Sequence, residues 1–228
     1  MRVREVFDTV LTVAMAVGAL TVAALWIRRE MATPENRPVE ITQTDNWAAL
    51  SSNASTSWGP PNARVTVVAF SDFQCPFCKT FAERIASVSD EFPTDVRFVF
   101  RHLPITWSHP HAVSAALAAE CAALQGRFRA FHDTLFVNQA QLPTRTWTQY
   151  AVAAGVTDTG TFAACMKAPA TATRLTRDSV TASVEEVAGT PTVYVNGKRF
   201  AGPPSVAQLR EQVKLAIGSN RSDAGSAR

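Results

Sequence analysis

No charge of one sign dominates this chain of 228 residues: 22 Lys and Arg face 19 Asp and Glu, a formal net charge of +3. That imbalance is too small to argue for nucleic acid, and the cations are scattered rather than set in a stripe with aromatics. Phosphate-cradling loops of the G-x-x-x-x-G-K-S/T or G-x-G-x-x-G kind are missing, so nothing points to a bound nucleotide. There is no internal repeat, which excludes a solenoid or a propeller. Cysteine is scarce, with four residues. Only Cys75 and Cys78 are close in sequence, and no second C-x-x-C or H-x-x-x-H completes the four ligands that structural zinc prefers. His109, His111 and His132 have no carboxylate or cysteine at ligand spacing, so no metal is expected, and no organic cofactor is implied.

Long apolar runs are equally scarce, and the exception lies at the N-terminus. Val10 to Ile27 carries no charge and is flanked by Arg2, Arg4, Arg28 and Arg29. As a helix it would rise about 27 Å, close to the thickness of a hydrocarbon core. Trp26 lies where an interfacial anchor would lie. A cleaved signal peptide is the rival reading, but its apolar region is usually about 7–15 residues. An uncleaved anchor over residues 1–29 is therefore expected. Arginines on both sides leave its orientation nearly tied by charge. The cysteine chemistry described below is expected to place the following domain outside the cytoplasm, because disulfides persist there.

What is present centres on Cys75-Pro76-Phe77-Cys78. It follows Val65 to Phe70, a continuous apolar run that reads as a strand buried on both faces. It precedes Lys79 to Glu91, which reads as a helix. Two cysteines at i and i+3 can close a small disulfide ring. The first sits at a helix N-terminus, where the dipole and free N–H groups favour a thiolate. This is the local arrangement of a thiol–disulfide exchange site.

Residues 30–58, rich in Thr, Asn, Ser and Pro, read as a flexible tether. Val96 to Phe100 is a second strand, so strand, helix and strand are expected to form a right-handed parallel unit. Helical patterns follow over 111–124, 128–138, 146–154, 159–167 and 170–187. Thr192 to Val195 is a strand, Asn196-Gly197 a hairpin turn, and Arg199 to Ala201 the returning strand. Ser205 is a candidate N-cap for a last helix ending near Ile217, and residues 218–228 are expected to be disordered. His102, just past a strand end, reads as a partly buried hydrogen-bonding residue. The phenylalanines between Phe128 and Phe136 read as a packing stripe.

This order resembles the DsbA-like branch of the thioredoxin superfamily. The resemblance is carried by Ser71-Asp72-Phe73-Gln74-Cys75-Pro76-Phe77-Cys78, by Phe100-Arg101-His102-Leu103-Pro104 and by Gly189-Thr190-Pro191-Thr192 before the Asn-Gly hairpin. It covers residues 59–217, with a helical insertion over about 106–168. It implies an α/β thioredoxin-like fold behind the N-terminal transmembrane helix. It further implies that Cys75 is an exposed nucleophile, Cys78 a buried resolving thiol, and Pro191 a cis-proline facing them, with Thr190 offering its backbone to a peptide. Two departures stand out. Pro76-Phe77 replaces the His-containing dipeptide of strong oxidants. Ala69 stands where related sites often carry a buried acid, and Asp72 is the nearest acid in sequence.

The activity implied is a dithiol oxidase for reduced, exported proteins, reset by a membrane redox partner. A reductase, an isomerase and a non-catalytic client-binding module are the alternatives. A monomer is the default expectation. Cys121 and Cys165, both in apolar helical surroundings, are expected to form a structural disulfide, with two buried free thiols as the alternative.

Overall fold

The computed structural model describes residues 2–30, 40–44, 47–52, 54, 56–142 and 144–225. Its contacts divide the chain into two compact units, Met1–Pro38 and Val39–Arg228. In the first unit α1 (Arg2–Glu30) is a continuous helix. Its Val10–Ile27 stretch is long and apolar enough to cross a membrane, and none of that window is buried. A candidate membrane span thus precedes the second unit.

The second unit is a mixed sheet whose strands, among the described residues, are β1 (Ile41–Gln43), β2 (Ser57–Trp58), β3 (Val65–Ser71), β4 (Val96–His102), β5 (Thr192–Val195) and β6 (Lys198–Phe200), in the order β1-β6-β5-β3-β4-β2. The centre is β3 (Val65–Ser71), flanked by β4 (Val96–His102) and β5 (Thr192–Val195). β3 and β4 are parallel, with Val65 opposite Val96 and Ser71 opposite His102. Between them runs α3 (Pro76–Glu91), so the strand–helix–strand unit is present. β5 is antiparallel to β3, with Phe70 opposite Thr192. The hairpin to β6 (Lys198–Phe200) turns at Asn196 and Gly197, whose φ values are 45° and 83°. Two positive φ values at the turn suit an Asn-Gly pair. Gly197 is fixed for a second reason: a Cβ there would lie 2.6 Å from the Trp47 ring.

Alternation along β3 explains its unbroken apolar run. Val65, Val67 and Ala69 enter one core with Phe81, Ile85, Phe98, Phe100, Phe131 and Leu209. Val68 and Phe70 enter a second core with Leu50, Val99, Ala182 and Tyr194. A strand covered on both faces needs no polar alternation. Between β4 and α8 (Pro169–Val184) lie α4 (Ala112–Ala123), α5 (Phe128–Val137), a 3-10 turn at Gln139–Gln141, α6 (Trp147–Ala153) and α7 (Thr159–Lys167). Ala115, Ala118, Ala119 and Ala122 of α4 are buried. Small side chains there let the neighbouring helices approach closely. Phe131 and Leu135 fill the core from α5, so the phenylalanine stripe is packing. Cys121 and Cys165 join α4 to α7, with sulfurs 1.98 Å apart and Cα atoms 5.7 Å apart.

The tether and the tail both differ from the sequence expectation. Within residues 30–58 the chain forms β1 (Ile41–Gln43), α2 (Trp47–Ser51) and β2 (Ser57–Trp58). β1 pairs with β6 and β2 with β4. Strand pairing there uses backbone groups, which a polar sequence supplies as well as an apolar one. Leu50 is fully buried, and Trp58 lies 4.2 Å from the Phe98 ring. The part of the tether over 31–39 lies outside the described residues. At the other end, α9 (Val206–Gly225) runs past Ile217, so the tail expected from 218 is helical as far as Gly225. Residues 226–228 lie outside the described set. Ser205 caps α9, its Oγ accepting from the Gln208 N–H at 3.2 Å.

Candidate active site

β3 ends beside α3, and the turn between them holds the two cysteines. Cys75 is the N-cap of α3, and Pro76 opens the helix, where its missing N–H costs nothing. The Cys75 carbonyl accepts from the Cys78 and Lys79 amides at 3.1 and 3.2 Å. Both cysteines are free thiols. Cys78 is buried, as the resemblance implied. Cys75 is not the exposed residue that the resemblance implied: it is 4% exposed. The reason is local. The Thr190 carbonyl closes over it, accepting from the Cys75 Sγ–H at 3.4 Å. The side chain that does reach solvent is Phe77, at 66% exposure.

The two thiols are electrostatically unequal. The Cys75 thiol is held down at about 5, chiefly by a hydrogen bond from Cys78. Burial opposes this, and the Thr190 side chain and the Cys78 and Phe77 backbone add to it. The Thr190 hydroxyl has no other partner in its buried position, which leaves it available to a thiolate. Burial and the neighbouring Cys75 push Cys78 well above the ordinary thiol value, against smaller opposing contributions from Ser71 and Asp72. One thiol is shifted toward its thiolate and its neighbour away from it, an inequality that suits thiol–disulfide exchange.

The Thr190–Pro191 peptide bond is cis. It sits at the start of β5, against the end of β3, so Thr190 and Pro191 lie beside the cysteines. They line an open groove of about 500 Å³ with Phe77, Gly189, Phe200 and Pro203.

Three further residues brace the turn: Asp72 and Gln74 from the motif itself, and Gln139 from far along the chain. Asp72 is buried, and points away from solvent. Its carboxylate accepts from the Gln74 N–H at 2.7 Å and the Ile105 N–H at 2.8 Å, and pairs with His109 Nδ1 at 2.8 Å. The Gln74 side chain accepts from the His111 N–H at 2.6 Å. Gln139 Nε2 donates to the carbonyls of Phe73 and Cys75, both at 2.9 Å. A glutamine in the 3-10 turn between α5 and α6 carries no motif; only the fold brings it here.

The histidines considered as a metal trio are apart. His109 is bound to Asp72, and His132 Nδ1 faces Asp133 at 2.8 Å. A different set, His102, Glu120 and Asp178, brings ligand atoms within 4.8 Å of one another. Its carboxylates already face cations: Asp178 meets Arg101 at 2.7 Å and Glu120 meets Arg174 at 3.3 Å. The set reads as a buried ion-pair network whose charges offset one another. His102 belongs to it, 3.5 Å from Glu120 and fully rather than partly buried.

A thioredoxin-like sheet with a C-x-x-C at a helix N-terminus and a cis-proline opposite defines the class of the thiol–disulfide oxidoreductase superfamily. A family model described as Thioredoxin matches residues 51–215, and the chain belongs to that family. Among solved structures, a thioredoxin-like oxidoreductase from Silicibacter pomeroyi superposes with a TM-score of 0.64 at 28% identity, covering 76% of this chain and 98% of its own. BdbD from Bacillus subtilis, in its oxidised form, gives 0.64 at 23% identity over 80% of this chain and all of its own. That likeness shows the fold. Among curated proteins, the Na(+)/H(+) antiporter NhaA 3 of Salinispora tropica is 39% identical over 163 residues, 72% of this chain. The chain spans about a quarter of the length of that relative.

Proposed function

We propose that the Val39–Arg228 unit is a dithiol oxidase that introduces disulfides into reduced proteins outside the cytoplasm, held to the membrane by α1. The observation that carries this is the geometry of the site: Cys75 is the N-cap of α3, its Sγ meets the Thr190 carbonyl at 3.4 Å beside the cis Thr190–Pro191 bond, and Cys78 lies buried behind it, with Cys75 shifted down and Cys78 up in accord. In the oxidised enzyme a client thiolate attacks Cys75 Sγ and breaks its bond to Cys78, which leaves and takes up a proton. A second client thiolate then attacks the client sulfur of the mixed disulfide, and Cys75 leaves as thiolate. The client loses two electrons and the enzyme gains them. A membrane redox partner, oxidising Cys75 and Cys78 again, would reset the site. Thr190 and Pro191, with Phe77, would hold the client backbone along the groove.

A stable Cys75 thiolate favours the dithiol and so makes the disulfide more oxidising. The value of about 5 falls between those known for DsbA, about 3.5, and thioredoxin, about 7. A potential between their values of about −120 and −270 mV is expected. The absent His between the cysteines fits that middle position. Antiport, the activity named for the Salinispora relative, is no part of this reading.

Redox equilibration of the purified protein against glutathione tests it, together with refolding of a reduced client. The expected result is oxidative refolding and a potential above thioredoxin's. A potential at or below thioredoxin's, with efficient insulin reduction and no refolding, would make it a reductase. For localisation, the expected product is an uncleaved, membrane-fractionating chain whose domain is digested when protease is added to spheroplasts. A soluble form starting near Leu25 would overturn the anchor.

A further inference from the structure

The loop after β4 carries a tryptophan that the fold does not use. Trp107 is 88% exposed, the most exposed of the large apolar side chains in the described residues. Its loop is nonetheless firmly held. The Leu103 N–H donates to the Ser71 carbonyl at 3.0 Å, and the Ser108 and His109 amides close turns on the Ile105 carbonyl. Asp72 grips the loop on both sides of Trp107, through the Ile105 N–H and His109 Nδ1. A mobile loop could tuck such a ring away; this one displays it. A rigid exposed aromatic contributes little to the fold and pays little entropy on contact, the usual property of an anchor in recognition.

The topology says where the ring stands. β3 lies between β5 and β4. Pro191 precedes β5, which is antiparallel to β3, and Trp107 follows β4, which is parallel to it. All three connections therefore meet at one end of the sheet, with Cys75 in the middle, the Thr190–Pro191 groove on one side and Trp107 on the other. The bonds from Cys75 to Asp72 to Ile105 limit the Cα separation of Cys75 and Trp107 to at most about 20 Å. An extended peptide covers that span in about six residues at 3.3 Å each.

We propose that Trp107 is a second contact point for the client chain. It takes an aromatic or aliphatic side chain within about six residues of the client cysteine, on the side of Cys75 away from the cis-proline groove. Asp72 acts as a positioning residue, since it sets the loop against the turn that carries Cys75. This rests on the oxidoreductase reading. It adds a preference for apolar segments, which are exposed in unfolded proteins and covered in folded ones.

The test uses the full chain in lipid nanodiscs, oxidised, reacting with two-cysteine peptides that carry Leu or Ser at successive positions from the attacking cysteine. Dithiothreitol is run alongside as a small dithiol. Trp107→Ser should lower kcat/KM for the Leu peptides about tenfold, mainly through KM, and change the Ser peptides and dithiothreitol by less than about twofold. Trp107→Phe should recover most of the loss. Asp72→Asn, which also touches the turn that carries Cys75, should slow dithiothreitol as well, with the larger loss on the Leu peptides. Equal rates for Trp107→Ser and the parent on every peptide would overturn the proposal. Quenching by brominated lipid that the parent shows and Trp107→Phe does not, beyond that of Trp26 and the other tryptophans common to both, together with unchanged peptide rates, would overturn it in favour of a bilayer contact. Absence of exchange between the parent protein and dithiothreitol would remove the oxidoreductase reading itself, and this inference with it.

Discussion

Two cysteine pairs share one domain and differ in almost every physical respect. Cys75 and Cys78 are three residues apart, at a helix N-terminus, among hydrogen-bond donors that favour a thiolate. Cys121 and Cys165 are 44 apart in sequence, inside packed helices, and already bonded to each other. The first pair closes a ring too small to restrain the unfolded chain much, so its bond can be made and broken at little cost to the fold. The second closes a long loop, and its value lies in the conformations denied to the unfolded chain. The comparison teaches that sequence separation and local donors, rather than burial, set what a cysteine pair does. All four side chains are nearly out of water.

The largest separation between the pairs is expected in exchange activity. Cys75→Ser should lower oxidation of a reduced client by at least about a thousandfold, the scale seen when a nucleophile is deleted. Cys121→Ala with Cys165→Ala should leave the rate per folded molecule within about twofold. Client refolding assays on both variants measure this. Comparable losses in the two would erase the distinction.

Stability should reverse the order. Removing the Cys121–Cys165 bridge is expected to destabilise the domain by about 4 kcal/mol, by the loop-entropy relation. Below about pH 5, where the Cys75 thiolate no longer contributes, Cys75→Ser should cost far less in the same urea titration.

The pH dependence sharpens the contrast further. The pKa of Cys75 falls on folding from its ordinary value of 9.0 to about 5. Its contribution to the stability of the dithiol form is therefore complete above pH 9 and lost as pH falls through about 5. Cys78 shifts the other way: its contribution holds below 9 and is lost at still higher pH. Between pH 5 and 9 the dithiol form should thus gain stability relative to the disulfide form as pH rises. Urea titrations of both forms across that window check the slope, and thiolate absorbance should show its midpoint near 5. The bridge between α4 and α7 does not titrate, so its loss should be felt equally at each pH.

The smallest expected effect is at Thr190. Thr190→Val removes the hydroxyl beside Cys75 and keeps the shape, and should raise the absorbance midpoint by about half a pH unit. An unchanged midpoint would assign the thiolate's stability to Cys78 and the helix backbone alone.

Much of this site was legible before the fold was known, because its parts are local. A C-x-x-C between an apolar run and a helix and an Asn-Gly hairpin each carry their meaning within a few residues, whereas the role of Thr190-Pro191 came only from the resemblance. The parts that were missed are made by pairing across the chain. β1 and β2 are short, exposed or half-buried, and held by backbone bonds, so Ile41–Gln43 and Ser57–Trp58 leave no apolar period. The orientation of Asp72 depends on His109, 37 residues away, and the bracing of Cys75 depends on Gln139, 64 away. The cover over Cys75 comes from Thr190, 115 away. Such distances are invisible to spacing rules.

The Arg101 side chain has a practical consequence for where the domain can be cut. Besides Asp178, its guanidinium donates to the carbonyls of Leu50, Ala49 and Ser52, three acceptors from the segment that reads as a tether. A fragment starting at Gly59 would keep both cysteine pairs, the cis-proline and most of the sheet. It would also leave a buried cation short of acceptors, which is expensive inside a protein. The outer edges of β4 and β6 would lose β2 and β1 and stand open to pairing with other molecules. Such a fragment should express as aggregate, whereas one starting before Ile41 should stay in solution.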